Sequence, residues 1–185
     1  MPVVSITLLP GYAAETQHRV VNRLAQAVRS VIDTPEAGTT VFVNEVSTYR
    51  RDGKVFSAGR SAHPVASDVV RDFLQALQSG DLAHAQSFLS PDFRMRFPGA
   101  AIMHTPQELT AWAAQHFMHI GKHYDQFEES WQGDVTVVFC HGTLQGTWLD
   151  GGSFEGIRFI DRMEVRSGLI TRQDVWNDLA EHRKV

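Results

Sequence analysis

Apolar and polar positions change their period several times along this chain, and each change marks an element. Val3-Val4-Ser5-Ile6-Thr7-Leu8-Leu9 is a short apolar run that predicts a strand. From Ala14 to Ile32, the residues Val20, Val21, Leu24, Ala27, Val28, Val31 and Ile32 recur at three- and four-residue spacing, with Arg19, Arg23 and Arg29 outside them. That pattern predicts an amphipathic helix, stopped by Asp33-Thr34-Pro35. Thr39 to Val46 is rich in β-branched residues and predicts a second strand, followed by a turn at Arg51-Asp52-Gly53 and a glycine at Gly59. Strand, crossover helix and strand form one βαβ unit whose strands should run parallel. About sixty residues bury too little surface to stand alone comfortably, so this unit is expected to lean on a neighbour or on copies of itself.

Ser61-Ala62-His63-Pro64 reads as a linker. A helix is expected from about Ser67, with Val69, Val70, Phe73, Leu74 and Leu77 as its apolar face and Gly80 as its end. Leu82 to Leu89 predicts a short helix closed by Pro91, and Phe93 to Phe97 alternates as a strand. Thr105-Pro106-Gln107-Glu108 has the residues of a capped helix start, and the apolar spacing predicts that helix to run to about Tyr124. Strands are expected at about 126–131, 134–148, 154–166 and 169–177, separated by turns at Gly133, Gly151-Gly152 and Ser167-Gly168. Helices followed by an antiparallel meander indicate an α+β domain.

Composition narrows the function classes. The net charge of −4 gives no support for a nucleic-acid or anionic-membrane partner. No apolar run reaches the ~18 residues of a membrane span, and the start lacks the pattern of a signal peptide. The expected location is therefore the cytoplasm. A single cysteine, Cys140, excludes an intrachain disulfide and any paired-cysteine site, and reads as a small packed residue. No nucleotide-loop, zinc-protease or serine-hydrolase pattern is found, so no cofactor is expected.

Residues 2–60 resemble the 4-oxalocrotonate tautomerase family, on Pro2 before a strand, Gly11 at its end, Ile32-Asp33-Thr34-Pro35 closing the helix, and Val41-Phe42-Val43-Asn44-Glu45-Val46. The resemblance implies dimers or trimers of dimers and an amino-terminal proline acting as acid/base on small oxo acids. Removal of Met1 would give Pro2 a free secondary amine. Burial would lower its pKa from the ~8 of an ordinary α-amino group. The alternative is that Pro2 simply opens an edge strand. The family's two carboxylate-binding arginines are replaced here by Tyr12 and by Thr40 or a neighbour, which leaves neutral hydrogen bonds for substrate. Arg50, Arg51 and Arg60 are substitutes if a subunit interface brings them in, and otherwise a solvated basic turn.

Residues 65–180 resemble the SnoaL-like polyketide cyclase group of the NTF2-like superfamily. The matching stretches are Arg71 to Leu82, Phe97-Pro98-Gly99, His141-Gly142-Thr143-Leu144-Gln145-Gly146 and Phe159 to Ile170. This implies a curved sheet wrapped on helices around a cone-shaped apolar pocket. The expected organisation is a tautomerase-like βαβ domain over 1–60 and a SnoaL-like domain over 61–185, assembled as a homodimer or higher oligomer.

Four residues are catalytic candidates: Pro2, Asp174, Asp161 and His116. Alternation along the last strand puts Arg172, Asp174, Trp176 and Asp178 on one face; if that face lines the cone, Asp174 is a carboxylate beside an aromatic wall. The alternative is a solvated face on which Asp174 pairs with Arg172. Phe159, Asp161, Met163 and Val165 share an inward face, where an Asp needs a partner or a role. His116 falls on the inward stripe Leu109, Trp112, Ala113, His116, Phe117 and Ile120 of the expected helix, as a pocket base or a satisfied core histidine. His119 and His123 superficially suggest a metal face with His116, but no metal is expected. Trp112 and Trp176, with Tyr12 and Thr40, are the expected substrate contacts. The function expected is cofactor-independent proton transfer next to a carbonyl of a small apolar ligand: tautomerisation, isomerisation or aldol-type cyclisation. The alternative is a non-catalytic ligand-binding or oligomerisation module.

Overall fold

The computed structural model describes residues 1–46, 48–56 and 62–182. Gly59, Arg60 and Ser61, named above, lie outside them. The chain divides into two compact units, 1–62 and 63–185.

In the first unit β1 (Val3–Leu8) and β2 (Thr40–Glu45) pair in parallel through α1 (Ala14–Arg29), so the strand–helix–strand reading holds. Val4, Ile6 and Leu8 are half-buried on β1, while Val3 and Phe42 are exposed on the other face. The helix ends three residues before Ile32: the Ser30 hydroxyl donates to the Ala27 carbonyl, and Val31 and Ile32 are exposed. Exposed apolar side chains gain little from packing, so apolar spacing alone does not extend the helix. A hairpin, β3 (Tyr49–Arg51) and β4 (Lys54–Phe56), turns at Asp52-Gly53, both with positive φ.

The second unit begins with α2 (Ala66–Ser79), whose Val69, Val70, Phe73 and Leu74 are buried. Gly80, in the left-handed conformation, ends it, and the Glu129 carboxylate accepts from the Ser67 amide in its first turn. α3 (Leu82–Ser87) leads into β5 (Leu89–Arg96). Pro91 therefore lies inside a strand and does not follow a helix. It falls where the register of β5 slips between Leu89 and Arg94, at the sheet edge, a position where a missing N–H costs least. Next come α4 (Pro106–Ala114), β6 (Phe117–Gln132), β7 (Val135–Trp148), β8 (Ser153–Arg166), β9 (Leu169–Asn177) and α5 (Leu179–His182). The sheet order is β5-β9-β8-β7-β6, antiparallel from β6 to β9, with β5 parallel to β9.

The largest departure from the sequence reading is at α4. Its start is as expected: Thr105 and Glu108 form a reciprocal capping box. The helix then stops at Ala114, and Phe117 to Tyr124 are strand. The misleading signal has a physical cause. β6 carries irregularities between Phe117 and His119 and between Tyr124 and Gln126. Each inserts one residue, so the inward positions run Phe117, Ile120, Lys122, Tyr124, Phe127, with gaps of three as well as two, and imitate helical spacing.

The same irregularities press β6 onto β7. A Cβ at Gly142 would collide with the His123 carbonyl oxygen, and one at Gly146 with the His119 carbonyl oxygen. These glycines face Tyr124 and Ile120 in register, and they allow the sheet to coil tightly around the cone. Gly142→Ala should therefore destabilise the protein by about 2 kcal/mol or more, because backbone and not a flexible side chain must move. Urea unfolding measures it; a variant within experimental error of the parent would show that β6 is not held this closely.

Candidate active site

The concave face of the sheet encloses a cavity of about 290 Å³. Its walls are apolar and aromatic: Leu74 and Leu77 from α2, Leu109 and Trp112 from α4, Phe97, Phe117, Ile120, Tyr124, Leu144 and Phe159. Volume and lining are those of a small-molecule site at the small end of the usual ~300–1,000 Å³ range. Few polar side chains reach it: Lys122, Tyr124, Gln173, Asn177, Gln78 and Thr110. Only Lys122 and Tyr124 among the described lining residues titrate.

Alternation along β8 turns Asp161 inward, where it is fully buried. Its partner is Lys122. The ammonium donates to both carboxylate oxygens, at 2.7 Å to Oδ1 and 2.6 Å to Oδ2. Lys122 stands opposite Leu144, and Asp161 opposite Cys140, so the lysine reaches diagonally across β7. Its Nζ passes 4.3 Å from the centroid of the Phe159 ring, whose face attracts a cation. The Gln173 side chain lies near Asp161 and favours its ionised form. An ammonium has three protons. Two are committed to Asp161, and the third is available on the cavity side, where Lys122 is part of the wall.

Burial pushes the Asp161 carboxyl above the ordinary carboxylate range, against the charge and hydrogen bond of Lys122 and the nearby Gln173 amide. Burial, and then the charge on Asp161, also push the Tyr124 phenol up, so it stays protonated as a hydrogen-bond donor. The Cys140 thiol is pushed up to about 12 by burial first and Asp161 second, which suits its reading as a packed residue.

The other expected site residues are placed differently. Asp174 and Trp176 are not on the cavity wall. They lie on the opposite face of β9, because Gln173, Val175 and Asn177 are the residues that face the cone. Alternation along β9 puts Asp174 and Trp176 together on one face, and the cone meets the other. Asp174 is nevertheless buried and ion-paired: Arg172 Nε lies 2.6 Å from its carboxylate and Arg162 3.8 Å away. Trp176 is 52% exposed. His116 is in the turn after α4, half-buried and outside the cavity lining; its Nδ1–H donates to the Trp112 carbonyl and its ring stacks on Trp112. His119 and His123 are exposed on β6 and not on a helical face with it. Trp112 does line the cavity. In the first unit, parallel pairing brings Thr40 to Pro2, whose carbonyl accepts from the Thr40 amide. Tyr12 accepts through its carbonyl from Gln17. Lys122 is hidden in the sequence because its segment carries helical spacing. The signal available was the alternation Ile120-Lys122-Tyr124, which puts one cation on an inward face across from an inward Asp.

A SnoaL-like domain model matches residues 70–173, and the chain belongs to that family. Solved structures show the NTF2-like fold for this part. An NTF2-like protein from Burkholderia thailandensis is 20% identical, with a TM-score of 0.55 over 66% of this chain and 99% of that one. An NTF2-like protein of unknown function from Burkholderia pseudomallei is 24% identical, with a TM-score of 0.53 over 63% and 93%. TerC, co-crystallized with polyporic acid, is 19% identical, with a TM-score of 0.53 over 63% and 94%. No curated protein matches the chain in sequence. No helix among the described residues is long and apolar enough to cross a membrane.

The pair sets a stability test. Lys122→Met leaves a buried carboxyl without its cation and should cost about 3 kcal/mol or more at neutral pH. Without the ammonium, the two largest influences opposing burial are gone, and the folded pKa of Asp161 rises further above the unfolded ~3.9. The folded state then holds the proton more tightly. Stability is full below the unfolded pKa and falls as pH rises through the folded one. Adding Asp161→Leu removes the buried charge and should restore most of the loss and abolish that pH dependence. Urea titrations across pH measure both; a single variant as stable as the parent at neutral pH would contradict the assignment. In the parent protein, Cys140 should resist a thiol reagent at about pH 8 until the protein unfolds. Stoichiometric labelling of the folded protein would count against its burial.

Proposed function

We propose that the second unit is a cofactor-independent enzyme that moves a proton next to the carbonyl of a small, largely apolar ligand, in an isomerisation or an aldol-type cyclisation. The observation that carries this reading is the Lys122–Asp161 pair, whose amine ends at the wall of an otherwise apolar, aromatic cavity. The reacting form is the neutral amine–carboxylic acid pair, toward which the raised proton affinity of the buried carboxyl works. In that form Lys122 takes the proton from the carbon beside the carbonyl and becomes ammonium, Asp161 keeps its own proton, and the negative charge moves to the enolate. The Tyr124 hydroxyl, on the same wall, donates to the enolate oxygen as charge develops there. Lys122 then returns the proton to another carbon, or the enolate carbon attacks a second carbonyl in the same molecule and the new alkoxide takes it. Asp161 is a positioning and proton-holding group, since it is fully buried behind the lysine.

α-Tetralone is a suitable probe: one carbonyl, one enolisable position, and a bicyclic body. Its exchange with deuterium oxide, followed by proton NMR, should be faster with the protein than in buffer. Lys122→Met should reduce that rate by about 10²–10⁴ while affinity changes little. Equal exchange by the variant would remove Lys122 from the chemistry. Binding by the parent protein with no acceleration would leave a ligand-binding module, the reading favoured by the lack of a carboxylate among the described lining residues.

A further inference from the structure

A second recess, about 470 Å³ in volume, opens where β5, β8 and β9 lie side by side. Its charged lining is Arg96, Arg162, Arg172 and Asp174, and its apolar lining includes Pro98 and Trp176. Strand pairing brings the charges together: Asp174 stands between Arg96 on β5 and Arg162 on β8. Alternation puts Arg172 and Trp176 on the same face of β9 as Asp174. The Asp174 carboxylate, 5% exposed, has Arg172 Nε 2.6 Å from its Oδ2 and Arg162 Nη1 3.8 Å from the same oxygen. Arg162 Nη1 also donates to Glu164 at 2.7 Å. These ion pairs hold two guanidinium groups in place, with side chains only 21% and 29% exposed. Arg96 is left over. It is exposed and makes no ion pair or hydrogen bond with any described residue. Three guanidinium groups against the carboxylates of Asp174 and Glu164 leave one positive charge in surplus. A guanidinium has five N–H donors, so the ion pairs leave most of the donors on these arginines uncommitted. Trp176, 52% exposed, has no ring contact or hydrogen bond with any described residue.

We propose that this recess binds an aromatic carboxylate, its oxygens on Arg96 and the uncommitted N–H groups of the two held arginines and its ring against Trp176. The planar fork of a guanidinium matches the two oxygens of a carboxylate, and the indole offers a flat apolar face beside it. The surplus charge decides between anions. A carboxylate carries one negative charge and neutralises the site. A phosphate monoester carries about −1.5 to −2 at neutral pH and would leave charge unmatched against Asp174 and Glu164. The recess is lined by a different set of polar groups from the central cavity, whose cation is Lys122, so this proposal does not depend on the proton-transfer reading.

The test uses the intact protein labelled with nitrogen-15, the probe 2-naphthoate and its neutral counterpart 2-naphthamide. Four tryptophans give four indole N–H signals, and Trp176→Phe and Trp112→Phe identify the two that matter. Trp176 reports on the recess and Trp112 on the central cavity. With 2-naphthoate the Trp176 signal should move and saturate with a Kd of about 1 mM or tighter. 2-Naphthamide should bind there about tenfold more weakly, because it lacks the charge. Arg96→Gln, a change at an exposed position, should weaken 2-naphthoate by about tenfold. A Trp176 signal that does not saturate, equal binding of the amide, or unchanged affinity in Arg96→Gln would each overturn the proposal. So would a Trp112 signal that moves more than that of Trp176, since the probe would then be in the central cavity. The comparison of acid with amide decides on the parent protein alone, should the variant fail to fold.

Discussion

A carboxylate shut away from water needs a cation, and the buried Asp161 constrains the architecture of the second unit more than any other side chain. Its position on β8 is set by alternation, between Phe159 and Met163 on the inward face. The cation comes from β6, two strands away, at Lys122. For a lysine stem to reach that far the sheet must coil strongly, and the coil is what hollows the concave face into a cone. The ion pair and the cavity are thus two consequences of one geometry. Burying the pair is not in itself a gain in stability, since desolvation offsets much of the attraction.

The coil has its own local causes. The two irregularities in β6 bend that strand over β7, and Gly142 and Gly146 are the points where the two backbones come too close for any side chain. α2 fills one end of the concave face with Val70, Phe73 and Leu74, and α4 covers the other with Trp112. The unfilled remainder is the cavity, lined by residues whose bulk is needed for the core and whose faces are left for a ligand.

The two faces of the sheet solve the problem of charge differently. Inside, one ion pair sits among aromatic rings. Outside, Asp174 is buried under Arg172 and Arg162, and Arg162 also bonds Glu164, so charges are shared in a network with partial access to water. A carboxylate in each setting has a different capacity. Asp161 is held where its proton affinity rises; Asp174 is matched by guanidinium groups that stay charged under all ordinary conditions.

Much of this fold was legible in the chain. The first strand–helix–strand, the apolar face of α2 and its Gly80 stop, the capping box at Thr105, and the long strands after residue 134 all follow from local rules: period, turn chemistry and capping. Asp161 was legible as an inward carboxylate because period two needs no knowledge of neighbours. What the sequence did not determine was anything that depends on how strands lie against one another. The inserted residues in β6 became visible only through its pairing with β7, and they hid Lys122 by giving a strand the spacing of a helix. The face of β9 that meets the cone, with Gln173 in place of Asp174, was decided by register with β8 and β5, since a strand shifted by one residue exchanges its two faces entirely. Alternation is a property of the chain, but inside and outside are properties of the sheet.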